Sequence, residues 1–199
     1  MEVIIATHNL GKLREIREML KGLKHIDFTS FNDYPGSEAP EETGQTFEEN
    51  ALLKALHATE TLGKWAVSDD SGLVVPALKG APGVYSARYA GKEATDLDNR
   101  KKLLEAMQGL EGISRNAYFE CSIAVTGPEG FKKVFKGICE GYICTEERGN
   151  NGFGYDSLFI KNDYSQTFAE LAENVKNRIS HRRKAMDKAL LFFEQMHQL

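Results

Sequence analysis

No stretch of this sequence approaches the ~20 consecutive apolar residues needed to cross a bilayer, which excludes a helical membrane span. The opening Met1-Glu2-Val3-Ile4-Ile5 is too short, and carries the wrong flank, for a signal peptide, so a cytoplasmic location is expected. Cysteine is sparse. Cys121, Cys139 and Cys144 form no CxxC pair and leave an odd one over, which argues against a disulfide framework or a zinc site and for small buried hydrophobes. Positive charge is also in deficit: 29 acidic against 25 basic residues give a formal net charge of −4. The chain therefore lacks the broad positive field that binding of a nucleic-acid polymer requires, and any anionic ligand must be held locally. Internal repeats and low-complexity tracts are absent as well.

What remains is an ordinary globular composition, 41% hydrophobic and 27% charged over 199 residues, enough for one sizeable core. Residues 1–199 are expected to form a single domain. Val3-Ile4-Ile5-Ala6 reads as a buried strand, and Leu13, Ile16, Leu20 and Leu23 continue at helical spacing, so a strand-turn-helix unit opens the chain. Residues 26–30 read as a second strand and 31–45 as an exposed loop. Thr46-Phe-Glu-Glu49 looks like a capping box for a helix that Gly63 ends. Trp65 to Ser68 and Leu73 to Val75 read as two strands flanking an acidic turn. Residues 79–91 read as an ordered functional loop, 95–107 as a helix, and 117–126 with 131–144 as a hairpin. Thr167 and Glu170 are spaced to cap a short helix, and Ser180 to cap the last one. Helices interleaved with strands imply an α/β domain around a mixed central sheet.

Four constellations carry chemistry. Thr7-His8-Asn9-Leu10-Gly11-Lys12 lies where a strand hands over to a helix, and free N–H groups there, with a lysine in the first turn, suit a polyphosphate. It is not a Walker A loop, and a turn glycine with a surface lysine has the same pattern. Asp69-Asp70, followed by Ser71 and Gly72, places adjacent carboxylates that repel unless a cation compensates them, a frequent mark of Mg²⁺. Glu41 and Glu42 offer further carboxylates. Lys54 falls on the same helical face as Asn50, where snorkelling is the commoner role. Gly152-Phe153-Gly154-Tyr155-Asp156 offers flat rings for a purine and a carboxylate acceptor. Lys176 with Ser180-His181-Arg182 supplies donors at a helix start, although the whole Lys176–Lys184 basic cluster also reads as a solvated face.

In combination these supply a phosphate cradle, a metal site, a base platform and donors. The chain resembles the Ham1/RdgB-type inosine triphosphate pyrophosphatase family through Thr7-x-Asn9-x-Gly11-Lys12, Glu41-Glu-Thr-Gly44, Glu49-Asn-Ala51 with Lys54, and Ser68-Asp-Asp-Ser-Gly-Leu73. The resemblance continues through Gly80 to Tyr89, Gly152 to Asp156 and Ser180-His-Arg182. It implies a two-lobed elongated α/β fold with the nucleotide in a cleft between lobes, a Mg²⁺ cofactor and a homodimer. It also implies hydrolysis of ITP, dITP and XTP to the monophosphate and pyrophosphate. Carried over, Asp70, Lys12 and Lys54 would be catalytic, and Glu41, Asp69 and Asp70 would ligate the metal. Residues 7–12, Ser71, Phe153, Gly154, Tyr155, Asp156, Lys176, His181 and Arg182 would bind substrate. His8 departs from the Gly common at its position, and Ser157 from Pro. A pyrophosphatase of related fold with other nucleotide substrates, a phosphatase releasing phosphate, and a non-catalytic binding module stand as alternatives.

Overall fold

The computed structural model describes residues 1–34 and 36–196, so Pro35 and the last three residues of the expected 1–199 domain lie outside the described residues. Six strands form one mixed sheet in the order β2-β1-β3-β4-β5-β6, where β1 is Glu2–Ile5, β2 Asp27–Ser30, β3 Trp65–Val74, β4 Asn116–Gly127, β5 Phe131–Ile143 and β6 Phe159–Lys161. β1 runs parallel to both β2 and β3, while β5 and β6 are antiparallel. The helices are α1 (Leu10–Leu20), α2 (Phe47–Leu62), α3 (Asp96–Ala106), α4 (Glu173–Ile179) and α5 (His181–Met196). No helix among the described residues is long and apolar enough to cross a membrane.

The chain divides into two compact units. The first comprises Met1–Asp70, Cys121–Gly137 and Arg182–Leu199, and the second Ser71–Glu120 and Ile138–His181. Each has its own core. In the first, Val3 and Ile5 of β1, Leu13, Ile16 and Leu20 of α1, Val67 and Ile123 pack with Ala185, Met186, Ala189 and Phe193 of α5. In the second, Leu73, Leu103, Met107, Phe119, Ile143, Tyr155, Phe159 and Phe168 form the apolar centre. Cys121 and Cys139 are buried, as small hydrophobes would be, and Cys144 is half-buried.

Local chemistry explains most element ends. Asn9 caps α1 by accepting from the Lys12 N–H at 3.0 Å. The helix stops at Leu20, short of the expected Leu23, because Gly22 is a poor helix former; Leu23 is buried from the turn beyond. Thr46 caps α2 through the Glu49 N–H at 3.1 Å, and Glu49 reaches the Gln45 N–H at 2.7 Å instead of completing a box on Thr46. Gly63 ends α2 at φ +65°, left-handed backbone that glycine adopts without a steric penalty. β4 and β5 are sheet neighbours joined by the Pro128–Gly130 turn, as the hairpin pattern indicated.

Two expectations need correction, and one strand has no counterpart in the sequence reading. Residues 65–75 hold no acidic turn between two strands; β3 is continuous through Asp69 and Asp70, both buried, because cations compensate each carboxylate inside. Thr167 and Glu170 do exchange capping bonds, at 2.7 and 3.2 Å, yet close only a turn. Thr167 is tied into a bridge with Ile160, and the helix begins later, at Glu173. β6 was not anticipated, since three residues are too few for a periodic signal.

The loop before α2 is pinned to it by Asn50, whose buried side chain accepts from the Gly44 N–H at 2.8 Å and whose amide lies 3.5 Å from the Gly44 oxygen. A Cβ on Gly44 would stand 2.6 Å from the same Asn50 oxygen, so only glycine allows this approach. Asn50→Ala should lower unfolding free energy by ~1–3 kcal/mol, the cost of a buried backbone donor left unpaired, as read by urea denaturation.

Candidate active site

The first unit gathers charge around the middle of β3. Successive strand residues point to opposite faces, so Asp69 and Asp70, adjacent in sequence, meet different partners. Asp69 faces α1 and α5: its Oδ2 lies 3.2 Å from Lys12 Nζ and accepts from Arg182 Nε and Nη2 at 3.2 and 3.1 Å. Arg182, 1% exposed, also donates through Nη1 to Glu15 of α1. Asp70 faces α2, where Lys54 Nζ donates to its Oδ1 at 2.9 Å and to Glu42 Oε1 at 2.7 Å. Ser68 seats α2 on the strand by donating to the Ala51 carbonyl at 2.5 Å, which aims Lys54 at its neighbour two residues on.

The two aspartates differ in electrostatics as they do in geometry. Burial opposes the charge of Asp69, but Lys12, Arg182 and Lys54 outweigh it and hold the carboxyl well below the usual range. For Asp70 burial prevails: Lys54 and Lys12 compensate only in part, Glu42 adds repulsion, and the pKa is raised. Lys54 is itself desolvated, yet Asp70, Asp69 and Glu42 keep it firmly protonated. Burial likewise pushes up the thiol of Cys121 beside this cluster, with Asp69 adding to the rise, so it is a poor nucleophile. Three cations, Lys12, Lys54 and Arg182, face four carboxylates, Glu15, Glu42, Asp69 and Asp70.

The phosphate-loop residues take the expected place. Thr7 is buried and accepts from the Asn9 N–H at 3.2 Å, and Asn9 occupies the Lys12 N–H. Leu10 and Gly11 thus contribute the first-turn N–H groups that no helix can satisfy internally. Exposed His8 stacks its ring on Phe31, centroids 5.1 Å apart.

The carboxylates expected at the metal sit in different surroundings. Glu41 is exposed, and it is Glu42 that reaches Lys54 beside Asp70. Two adjacent glutamates in a loop give no sequence signal of which turns inward. Asp69, engaged by Lys12 and Arg182, is not grouped with Glu42 and Asp70. Among the described residues no group of three or more His, Cys, Asp or Glu side chains could hold a metal ion. Mg²⁺, however, takes one or two protein carboxylates and completes its shell with water and phosphate oxygens. Glu42 and Asp70 are hard oxygen donors within reach of one ammonium, in a cluster with surplus negative charge, and so fit that ion. Glu15 was missed altogether, because a charged residue beside the apolar stripe of α1 reads as solvated.

The second unit holds the other constellation. Asp156 Oδ2 accepts from the Phe153 N–H at 2.9 Å and from Lys176 Nζ at 2.5 Å, and both side chains are about 5% exposed. The Lys176 ammonium lies 4.8 Å from the centre of the Phe153 ring. A Cβ on Gly152 would fall 2.0 Å from Asp156 Oδ2, so that glycine, at φ +77°, is required by close approach. Tyr155 is buried and donates to the Ser86 carbonyl at 2.9 Å. His181 stacks on Phe119, centroids 4.7 Å apart, and Phe119 in turn lies against Phe168. Ser71, half-buried, follows Asp70 on β3. The solvated reading of the 176–184 cluster fails for Lys176 and Arg182, the two buried members whose charge is matched inside. Arg182, expected at the substrate, has N–H groups on all three of its nitrogens engaged by Asp69 and Glu15.

The model of the Ham1 family matches residues 3–192. A relative from Protochlamydia amoebophila, named dITP/XTP pyrophosphatase, is 54% identical over 98% of this chain and 99% of its own. Among solved structures, a HAM1 protein from Coxiella burnetii superposes with a TM-score of 0.89 at 41% identity, covering 98% of this chain and 99% of that one. The Staphylococcus aureus Ham1 protein gives 0.88 at 40% identity, covering 98% and 100%. With a core, a buried charge cluster and ordered motifs that run along nearly its whole length, this chain belongs to the Ham1 family.

Proposed function

We propose that the chain hydrolyses deaminated purine nucleoside triphosphates, ITP, dITP and XTP, to the monophosphate and pyrophosphate in a Mg²⁺-dependent reaction. The observation that carries the reading is a pair of poorly exposed lysines, Lys12 and Lys54, beside a carboxylate of raised basicity, Asp70, in a chain of this family. The relative from Protochlamydia amoebophila bears the name dITP/XTP pyrophosphatase. Residues 1–199 are assigned to one functional domain, cytoplasmic and homodimeric, that takes no nucleic-acid polymer.

Each assigned residue has a physical task. The Leu10 and Gly11 N–H groups and the Lys12 ammonium bind phosphate oxygens at the start of α1, with Thr7, His8 and Asn9 shaping the approach. Glu41, Asp69 and Asp70 are assigned to Mg²⁺, with Glu42 beside Asp70 as a further carboxylate; the ion when bound would supply charge neutralisation at phosphoryl oxygens. Asp70 accepts a proton from the water that attacks the α-phosphorus; burial has moved its pKa toward that of an effective general base. The bond between the α-phosphorus and its bridging oxygen breaks, and Lys12 and Lys54 stabilise the charge arriving on the leaving pyrophosphate. Ser71, the Phe153–Asp156 loop, Lys176 and His181 are assigned to the nucleoside, with Arg182 acting through Asp69. Hypoxanthine and xanthine carry an oxygen at C6 where adenine carries an amino group, so donors such as Lys176 pair with the first two and face a donor in the third.

A panel of nucleoside triphosphates with product identification tests the reading. Pyrophosphate and monophosphate should appear together and only with a divalent cation, with kcat/KM for dITP and XTP at least ~10²-fold above that for dATP and dGTP. Orthophosphate as first product, or full activity in excess EDTA, would refute it.

The neighbouring aspartates should separate cleanly under mutation. Asp70→Asn keeps its shape and relieves repulsion from Glu42, so folding should persist while turnover falls by ~10²-fold or more, as loss of a general base implies. Asp69→Asn strips a buried guanidinium of a counter-charge and should lower unfolding free energy by ~3–5 kcal/mol in denaturant titration. Equal stabilities for the two variants would contradict the assignment of opposite faces.

A further inference from the structure

Helix α3 is largely exposed, with only Asn99 and Leu103 buried within it. Its first turn divides its labour. Thr95 and Asp98 form the capping box, with Asp98 accepting from the Thr95 N–H and hydroxyl at 2.9 and 2.6 Å, so the cap makes no use of Asp96. Asp96, Asn99, Arg100 and Leu103 follow the i, i+3, i+4, i+7 spacing of one helical face. Leu103 anchors that face in the core, while the other three reach two loops.

Asp96 Oδ2 accepts from the Gly154 N–H at 2.7 Å, and Arg100 Nη1 donates to the Gly154 carbonyl at 3.0 Å. Both polar groups of one glycine are therefore held from the same helix. Arg100 is itself oriented by Glu147 at 2.8 Å, and Glu147 also accepts from Ser157 at 3.1 Å on the far side of the loop. Asn99 accepts from the Ala90 N–H at 2.7 Å and donates to the Ala87 carbonyl at 3.1 Å, fixing the segment whose Ser86 carbonyl receives the Tyr155 hydroxyl. Gly152 and Gly154 sit at φ +77° and +60°, backbone that would otherwise be free to leave the left-handed region. A cavity of about 270 Å³ lies against this clamp, lined among others by Asp96, Arg100, Glu147, Asn151, Gly152 and Phe153.

We infer that Asp96 and Arg100 are positioning residues that set the Gly152–Asp156 loop in its base-receiving shape, so that purine selectivity is fixed in part from α3. The inference rests on the proposed assignment of that loop to the base. The clamp fixes the peptide next to Phe153, whose own N–H is held by Asp156 and whose ring lies 4.8 Å from the Lys176 ammonium. Loosening the clamp lets the ring and the adjacent N–H groups adopt several arrangements, only one of which suits the substrate base.

The test uses the full chain with Mg²⁺, dITP and dGTP as substrates and inorganic tripolyphosphate as a base-free competitor. Asp96→Ala and Arg100→Ala should each raise KM for dITP roughly tenfold, the scale of one charge-assisted hydrogen bond, with kcat within about threefold and the dITP preference over dGTP narrowed. Asp96→Asn retains an oxygen acceptor for the Gly154 N–H and should restore most of the parental KM. The inhibition constant of tripolyphosphate should stay at the parental value in all three, because it has no base to recognise. An active parent whose KM and selectivity are unmoved in both alanine variants overturns this inference alone. Parallel weakening of tripolyphosphate inhibition also overturns it, by showing general damage. A parent that leaves dITP intact removes the proposed function and the inference with it.

Discussion

The buried ion pair between Asp69 and Arg182 is the constraint on which the first unit depends. Its partners are 113 residues apart, and Glu15, 167 residues from Arg182, completes the guanidinium's coordination. Taking such charges out of water is costly, and the arrangement persists only because each is met by geometry that returns the lost hydration. The pair thereby ties β3 to α5, and α5 to α1, at one point. It also fixes the pleat of β3: with Asp69 held toward α1 and α5, Asp70 must face α2. The placement of Lys54 and Glu42 around Asp70 follows from the pairing on the other side of the strand.

A second consequence concerns charge. Arg182 is shared between two carboxylates and Lys12 leans on Asp69, so Asp69 is fully compensated and electrostatically inert as a proton acceptor. Asp70 shares one ammonium with Glu42 and stays under-compensated, which burial makes more acute. Two identical side chains, adjacent in sequence, are thus pushed in opposite directions, one toward the ionised form and the other away from it. A polyphosphate entering such a cluster meets surplus negative charge unless a further cation accompanies it.

Much of this was legible in the sequence, for identifiable reasons. The strand-turn-helix opening, the cap and stop of α2, and the β4–β5 hairpin depend on interactions within a few residues, which composition and spacing report. The charge cluster does not. Asp69-Asp70 looks like an acidic turn because a strand seldom buries two charges, and the cations that allow it come from Lys12, Lys54 and Arg182, distant in the chain. Glu15 gives no signal beside the apolar stripe of α1, and Arg182, read as a donor to the substrate, gives none of its pairing with Asp69, for the same reason. Glu42 was indistinguishable from Glu41 until the Gly44–Asn50 contact fixed how the loop enters α2. Thr167 and Glu170 show the reverse failure: the local capping chemistry is present, but the bridge to Ile160 prevents a helix from following.

The two units hold their functional residues by different physics, and this governs what each can tolerate. In the first, position is set by buried charge, where removal of one partner leaves another uncompensated, so geometry and stability are inseparable. In the second, the Gly152–Asp156 loop is shaped by hydrogen bonds from side chains such as Asp96 and Arg100 that retain access to water. Losing one of those frees a backbone group that water can satisfy, at a small cost to folding but a real cost to shape. Changes that unfold the protein should therefore concentrate around Asp69 and Arg182. Changes that alter fit while leaving the fold intact have room along α3 and the glycine loop.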